Sequence, residues 1–401
     1  MNRRWWGFLW FAAVLTACDD TQAPPEVVPA PPAFMTIVVD SQFGADYDHA
    51  IRYPTIAVSA GTTLNLLYGL FETGRLRYAG CPIACDERRN WRVGDPDSGT
   101  TGDFVGAAVG NQQVHVAFQA WRPAGFPAYL KYGACPGLCD QSSHWAVTEV
   151  DTVGNTGWLV SMAADPAAVH IAYLRYANPM QLRYATCSAS CGSAGSWSLT
   201  TIDTAQGFGE TQIVHDATAG LHIVYEVLDI QGTNPPSLRY TTCSAVCTDA
   251  ANWHTVPIGT GRLPSLSVTS DGRLSLVYVD GAGTIRAAIC AFACTTGGWP
   301  SAPLVVSNSV TDVALAIASD GRWHLAYAND GGADFTDRVV RYAVCASTCV
   351  DSLNWRSMTI DSTQIPPVYF VALAVDSTNR VSLAHATSGA LRLTTIKRAP
   401  L

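Results

Sequence analysis

The strongest constraint on this chain is one short phrase written six times. It reads LRYATCSASCGSAGSW at 182–197, LRYAGCPIACDERRNW at 76–91 and LKYGACPGLCDQSSHW at 130–145. It returns as LRYTTCSAVCTDAANW (238–253), IRAAICAFACTTGGW (285–299) and VRYAVCASTCVDSLNW (340–355). Copies spaced by about fifty residues mean a tandem repeat architecture, in which each unit buries its apolar face only against its neighbours.

One unit, 157–203, contains four short runs: 159–164, VHIAY (169–173), LRYA (182–185) and WSLTTI (197–202). Each is rich in β-branched or aromatic residues and bounded by Gly, Pro, Asp, Asn or Ser, which reads as a four-stranded antiparallel meander. Meanders repeated in tandem predict a β-propeller. The second-strand copies LNLLY, VHVAF, VHIAY, LHIVY, LSLVY, WHLAY and VSLAH, beginning at Leu64, Val114, Val169, Leu221, Leu274, Trp323 and Val381, count seven blades. The last unit ends after its third strand, LRLTTI (391–396), while FMTIVVD (34–40) matches the fourth strand WRSMTID (355–361), with Phe34 in the Trp place. The expected fold is therefore all-β: a seven-bladed β-propeller of four-stranded antiparallel blades over 34–397. The N-terminal strand completes the C-terminal blade, a closure that removes exposed sheet edges.

Ahead of the ring, Arg3 and Arg4 precede an apolar run (5–17) too short to span a bilayer, so 1–17 reads as an export signal. Its end, LTAC, resembles a bacterial lipobox and makes Cys18 the expected lipidation site; the alternative is an ordinary signal peptide with a chance Cys. Residues 18–33 contain five prolines and form an extended linker of about 40 Å. The implied location is the bacterial cell envelope, with the lipid as the only membrane contact. With 24 Lys and Arg against 32 Asp and Glu, and Arg3 and Arg4 lost with the signal, the acidic balance argues against a nucleic-acid partner.

Apart from Cys18, the cysteines form six C-x3-C pairs: Cys81 and Cys85, Cys135 and Cys139, Cys187 and Cys191, Cys243 and Cys247, Cys290 and Cys294, Cys345 and Cys349. In an exported chain, pairs in the turn between third and fourth strands read as disulfides. Zinc needs four ligands at one centre, whereas these pairs fall in different blades and only His144 lies near one. No metal site or cofactor is expected; DYD (46–48) and DPD (95–97) resemble fragments of calcium loops but lack the full ligand series.

Two columns recur in every blade. Arg77, Lys131, Arg183, Arg239, Arg286, Arg341 and Arg392 share a third-strand position and are read as pins between neighbouring blades. Asn65, His115, His170, His222, Ser275, His324 and Ser382 share a second-strand position and are read as hydrogen-bonded structural groups.

The turn that carries the cysteines also carries a resemblance. In sialidase-like (Asp-box, BNR) propellers an S-x-D-x-G-x-T-W motif closes this turn and delivers its Trp to the fourth strand; here C-x3-C followed by Trp looks like its replacement. Arg52, Tyr53 and Pro54 resemble the sialidase R-I-P segment, and Arg262 with Pro264 repeats it. The resemblance implies an Arg that grips a substrate carboxylate. It departs in having no complete Asp box and seven blades where sialidases have six, and the nucleophilic Tyr, its Glu and two further arginines are not placed by motif. It extends to seven-bladed bacterial lectins, which bind sugars on blade loops.

Loops that break the repeat are the default place for binding. On one face these are DYDHAIRYP (46–54), QAWRPAGFPA (119–128), EVLDIQGTNPP (226–236) and NDGGADFTD (329–337). The ligand-binding candidates there are Arg52, Glu72, Trp121, Arg122, Arg175, Glu210, Glu226 and Arg262, with Asp46, Asp48, His49 and Asp334 in the same loops. Trp121 can stack on a sugar ring, and Arg52 or Arg122 can hold a carboxylate. Three readings follow: a non-enzymatic binding or adhesion propeller for a glycan or protein at the envelope, a sialidase-like glycoside hydrolase, or a structural scaffold. Hydrolysis would require a facing carboxyl pair, which no motif identifies.

Overall fold

The computed structural model describes residues 34–41, 51–70, 73–97, 102–122, 125–218, 220–269, 271–291, 294–296, 299–306, 309–331, 338–362, 370–387 and 389–396. Seven four-stranded antiparallel sheets form the ring. Blades 1 to 6 cover 51–97, 103–151, 155–205, 207–260, 262–306 and 310–361, and blade 7 combines 371–396 with 34–40. The strand Phe34–Asp40 pairs antiparallel with Ala390–Ile396, from Phe34 opposite Ile396 to Val38 opposite Arg392. The expected signal peptide, lipidation site Cys18 and linker, together with Asp46, Asp48, His49, Glu72, Asp334 and the side chain of Arg122, lie outside the described residues.

Second strands such as Leu274–Val279 are buried along their whole length, because each blade is covered on both faces by its neighbours. Apolar clusters accordingly straddle blades: Leu66, Tyr68 and Ala79 of blade 1 pack with Ala384, Leu391 and Leu393 of blade 7.

The third-strand cations join successive blades through one acidic position, six residues beyond the turn Trp. Arg77 reaches Asp40 at 2.9 Å, Lys131 reaches Asp97 at 2.6 Å, Arg183 reaches Asp151 at 2.5 Å, Arg239 reaches Asp203 at 2.8 Å and Arg392 reaches Asp361 at 3.3 Å. Tyr68, Tyr173 and Tyr225 donate to Asp40, Asp151 and Asp203 from the second strands. Blade 4 has Gly259 at that position, and Arg286 of blade 5 turns instead to Asp280 of its own blade at 3.3 Å, a departure from the expected pinning.

The second-strand column is bonded where the third strand supplies a tyrosine. His115, His170, His222 and His324 meet Tyr132, Tyr184, Tyr240 and Tyr342 at 2.6–2.7 Å, and Asn65 accepts from Tyr78 at 2.8 Å. Blades 5 and 7 carry Ala287 and Leu393 in the tyrosine place, and there Ser275 and Ser382 have hydroxyls without a partner, which corrects the expectation for these two.

All six cysteine pairs are disulfides, with Cα atoms 5.6–5.8 Å apart. In five turns the Trp indole N–H donates to the carbonyl of the second Cys at 2.8–3.0 Å. The ring then meets the preceding blade: Trp197 lies edge-on to Tyr132 at 4.8 Å and Trp253 to Tyr184 at 5.2 Å.

Candidate functional site at the mouth of the central channel

First strands line the channel, and all but the last carry an irregularity where they enter it. Pairing skips between Arg52 and Thr55, Asp103 and Gly106, Trp158 and Ser161, Phe208 and Thr211, Arg262 and Ser265, and Val310 and Asp312. Tyr53, Phe104, Leu159 and Leu263 take left-handed backbone there, with φ of 48–53°. Such bulges re-aim side chains, and two of these, Tyr53 and Leu263, line a cavity of about 240 Å³ in the channel.

Aligned by their pairing with the second strands, one position holds Tyr53, Phe104, Leu159, Glu210, Leu263, Asp312 and Phe370. Five blades place an aromatic or aliphatic residue where blades 4 and 6 place an acid, and Tyr53, Glu210, Leu263, Asp312 and Phe370 line the cavity. In blades 1, 2 and 7 this position is Tyr53, Phe104 and Phe370. Their rings form an arc: Tyr53 lies 4.5 Å from Phe370 and 4.6 Å from Phe104, and Phe104 lies 5.1 Å from Trp158. Trp121 and Tyr176 continue it, at 6.5 and 6.1 Å from Trp158. The mouth thus has an aromatic side built by blades 7, 1, 2 and 3 and an acidic side built by blades 4 and 6.

The acids are held partly protonated near neutrality. Burial, reinforced by the charges of Asp312 and Glu226, pushes Glu210 up to about 8. Burial also pushes Asp312 up to about 7, against the opposing hydrogen bonds from the Val371 and Val313 backbone N–H groups at 2.9 and 2.8 Å. Glu226 is buried beneath the mouth and accepts from the backbone of Glu210 and Leu263; burial raises it as well. Gly209 is what admits it, since a Cβ there would lie 2.4 Å from a Glu226 oxygen. Burial, then Glu210 and Asp103, raise the Tyr53 phenol above its ordinary value, so it is a neutral hydroxyl.

The other sequence candidates are dispersed. Arg52 stands at the rim with Nη1 3.7 Å from Asp103. Arg262 donates to the Val310 carbonyl at 3.0 Å and borders a separate cavity of about 260 Å³ with Pro236 and Asp280. Arg175 ends the second strand of blade 3 with its Nε buried and unpartnered. Arg52 and Arg262, equivalent by repeat, therefore do not converge on one carboxylate. Asp312, Tyr53, Phe104, Trp158 and Phe370 were not singled out as binding residues, although aligning the seven first strands exposes Asp312 as the second break in an apolar column. Among the described residues no three His, Cys, Asp or Glu side chains are grouped to hold a metal ion.

No family model and no curated protein matches this sequence. Solved structures share its fold. The BP39L lectin from Burkholderia pseudomallei is 14% identical, with a TM-score of 0.60 over 87% of this chain and 98% of the lectin. Penicillium chrysogenum α-L-arabinanase complexed with arabinobiose is also 14% identical, with a TM-score of 0.52 over 74% of this chain and 94% of the arabinanase. The polysaccharide lyase Uly1 is 8% identical, with a TM-score of 0.52 over 90% of this chain and 92% of the lyase. At these identities the similarity is one of fold.

Proposed function

We propose that this chain is an exported, lipid-anchored propeller that binds a glycan at the channel mouth, and that it does so without cleaving it. The observation that carries this reading is the two-sided mouth. Aromatic faces on Tyr53 and Phe370, with Trp158 further along the arc, suit the apolar face of a sugar ring, and Glu210 and Asp312 suit its hydroxyls. The lectin, the arabinanase with arabinobiose and the polysaccharide lyase are saccharide-handling propellers of the same fold, which supports the ligand class. An acidic sugar is disfavoured: the acids face the mouth, while Arg52 and Arg262 are engaged with Asp103 and Val310.

Glycoside hydrolysis is the second reading, and the paired carboxyls favour it. Glu210, pushed up to about 8, is a proton donor at neutral pH, and Asp312, pushed up to about 7, is partly ionised beside it. A glycan-array screen of the full chain, with product analysis of each retained sugar, separates the two. Retention without cleavage, lost in Trp158→Ala, supports binding. Cleavage abolished by Glu210→Gln establishes hydrolysis instead. Retention unaffected by either substitution places the ligand away from the channel.

A further inference from the structure

The opposite face, where the disulfide turns lie, holds a third cavity between blades 4 and 5. It measures about 370 Å³, and its walls include Asp216, His222, Ser244, Asp271 and Thr295. His222 is 5% exposed, and its Nε2 has no hydrogen-bond partner. The repeat shows what that nitrogen is. In blade 2 the equivalent Nε2 of His115 lies 3.0 Å from the Gly110 carbonyl oxygen, which only accepts, and in blade 3 that of His170 lies 3.1 Å from the Asp165 carboxylate. In both, Nε2 carries the proton and Nδ1 accepts from the tyrosine hydroxyl. His222 Nδ1 is likewise taken by Tyr240 at 2.7 Å, so its Nε2–H is a buried donor left for whatever fills the cavity.

Two sequence differences open the space. In blade 3 three residues separate Asp165 from Val169, whereas in blade 4 four separate Asp216 from Leu221. With the longer turn, the Asp216 carboxylate accepts from the Thr218 backbone and hydroxyl at 2.9 and 3.0 Å and does not reach His222. At the boundary of blades 3 and 4 the ring of His215 closes over His170, with centroids 5.9 Å apart, and its Nε2 lies 3.2 Å from Asp165. By strand register the same position in blade 5 is Val268, opposite Leu274 as His215 is opposite Leu221. The closing imidazole is therefore missing where the unmet donor is.

We infer that this cavity binds a neutral polyhydroxylated ligand the size of one sugar ring. A hydroxyl accepts from His222 Nε2–H while donating to a carboxylate, and Asp216 and Asp271 supply two such acceptors. Of the two, Asp216 repels an anion, whereas the Asp271 charge is already paired with the Arg273 guanidinium at 2.8 Å. Burial pushes His222 down to about 4, which keeps the ring neutral and in the role of single donor. In blade 6 the equivalent His324 Nε2 is also unpartnered, so it serves as an internal control.

The test uses the full chain labelled with ¹⁵N-histidine and titrated separately with glucose, mannose, fucose, N-acetylglucosamine and myo-inositol, with glucuronate as the anionic counterpart. Loss of one signal in His222→Gln assigns the Nε2 resonance. At least one neutral probe should shift it saturably, with affinity about tenfold weaker in Val268→His, which grafts the closing imidazole, and in Asp271→Asn. Glu210→Gln and His324→Gln should leave that affinity unchanged, which separates this site from the channel mouth. Silence of all the neutral probes would assign the cavity to water and overturn the inference. So would equal binding of glucuronate, or undiminished affinity in Asp271→Asn, the variant that decides if Val268→His does not fold.

Discussion

At the channel mouth a single equivalent position carries Tyr53, Phe104, Leu159, Leu263 or Phe370 in five blades and Glu210 or Asp312 in the other two. The propeller desolvates that position whatever occupies it, so these acids hold their protons more tightly in the folded chain than in the unfolded one. The sign follows by linkage: their contribution to stability is fully present below the ordinary carboxylate range and is lost as pH rises through about 7 for Asp312 and about 8 for Glu210. The melting temperature should therefore fall between pH 5 and pH 8.5, and the Glu210→Gln, Asp312→Asn double variant should fall less. At pH 8.5 the variant should melt higher by roughly 2 °C or more. Parallel pH profiles would show that the two carboxyls are solvated like any surface pair. Asp151 offers the opposite case, a buried carboxylate that is paired: it accepts from Tyr173 at 2.7 Å and Arg183 at 2.5 Å. Asp151→Ala leaves Arg183 without that charge and should cost about 3 kcal/mol in denaturant unfolding of the full chain; a loss under about 1 kcal/mol would mean that Arg183 finds water instead.

Among the elements, the disulfide turn is the most conspicuous in the sequence and a modest source of stability. Each bridge closes a loop of only five residues, worth at most about 2 kcal/mol in the chain-entropy account. The turn also holds Trp197, whose indole donates to the Cys191 carbonyl at 3.0 Å and whose ring packs on Tyr132 of the previous blade. Replacing Cys187 and Cys191 together by Ser should therefore cost less than Asp151→Ala, as compared by their denaturant midpoints; the reverse order would make the bridge, not the blade contact, the main tie. Titration of the denatured, unreduced chain with Cys18 replaced should find essentially no free thiol. These turns made the blades legible from spacing alone, because Cys, Trp and the second-strand apolar runs recur in order. The first strands were harder to read: the unit at 157–203 was expected to begin its strand at Leu159, and it begins at Asn155, before the bulge. Periodicity reports a regular strand, whereas the bulge that turns Tyr53 or Glu210 into the channel interrupts the period. The sequence therefore marks Glu210 as a loop carboxylate and Trp121 as a sugar-stacking residue, but not Asp312 or the rest of the aromatic arc.

At the level of the molecule, the ring depends on an N-terminal strand that is distant in sequence from the blade it completes. Phe34–Asp40 covers the edge of Ala390–Ile396, Val39 enters the core shared by blades 7 and 1, and Asp40 accepts from Tyr68 at 2.5 Å and from Arg77 at 2.9 Å. One strand thus closes blade 7 and ties it to blade 1, so the seam resembles the other blade boundaries in chemistry although it is not continuous in the chain. Removing the strand exposes the hydrogen-bonding edge of Ala390–Ile396 and leaves Arg77 with only Asp95 at 2.8 Å. Because every blade is supported by two neighbours, the loss should spread from the seam as fraying of blades 7 and 1. Deleting 34–40 while keeping the preceding residues should lower the melting temperature markedly and promote association through the uncovered edge. Hydrogen exchange should speed first in Val381–Thr387 and Ala390–Ile396. Asp40→Asn, which keeps the strand but weakens its charged tie, should produce a smaller loss without association. If the deletion melts like the intact chain, closure contributes little and the ring is held by lateral packing of blades; if Asp40→Asn is as damaging as the deletion, the seam is held by its ion pair and not by its strand.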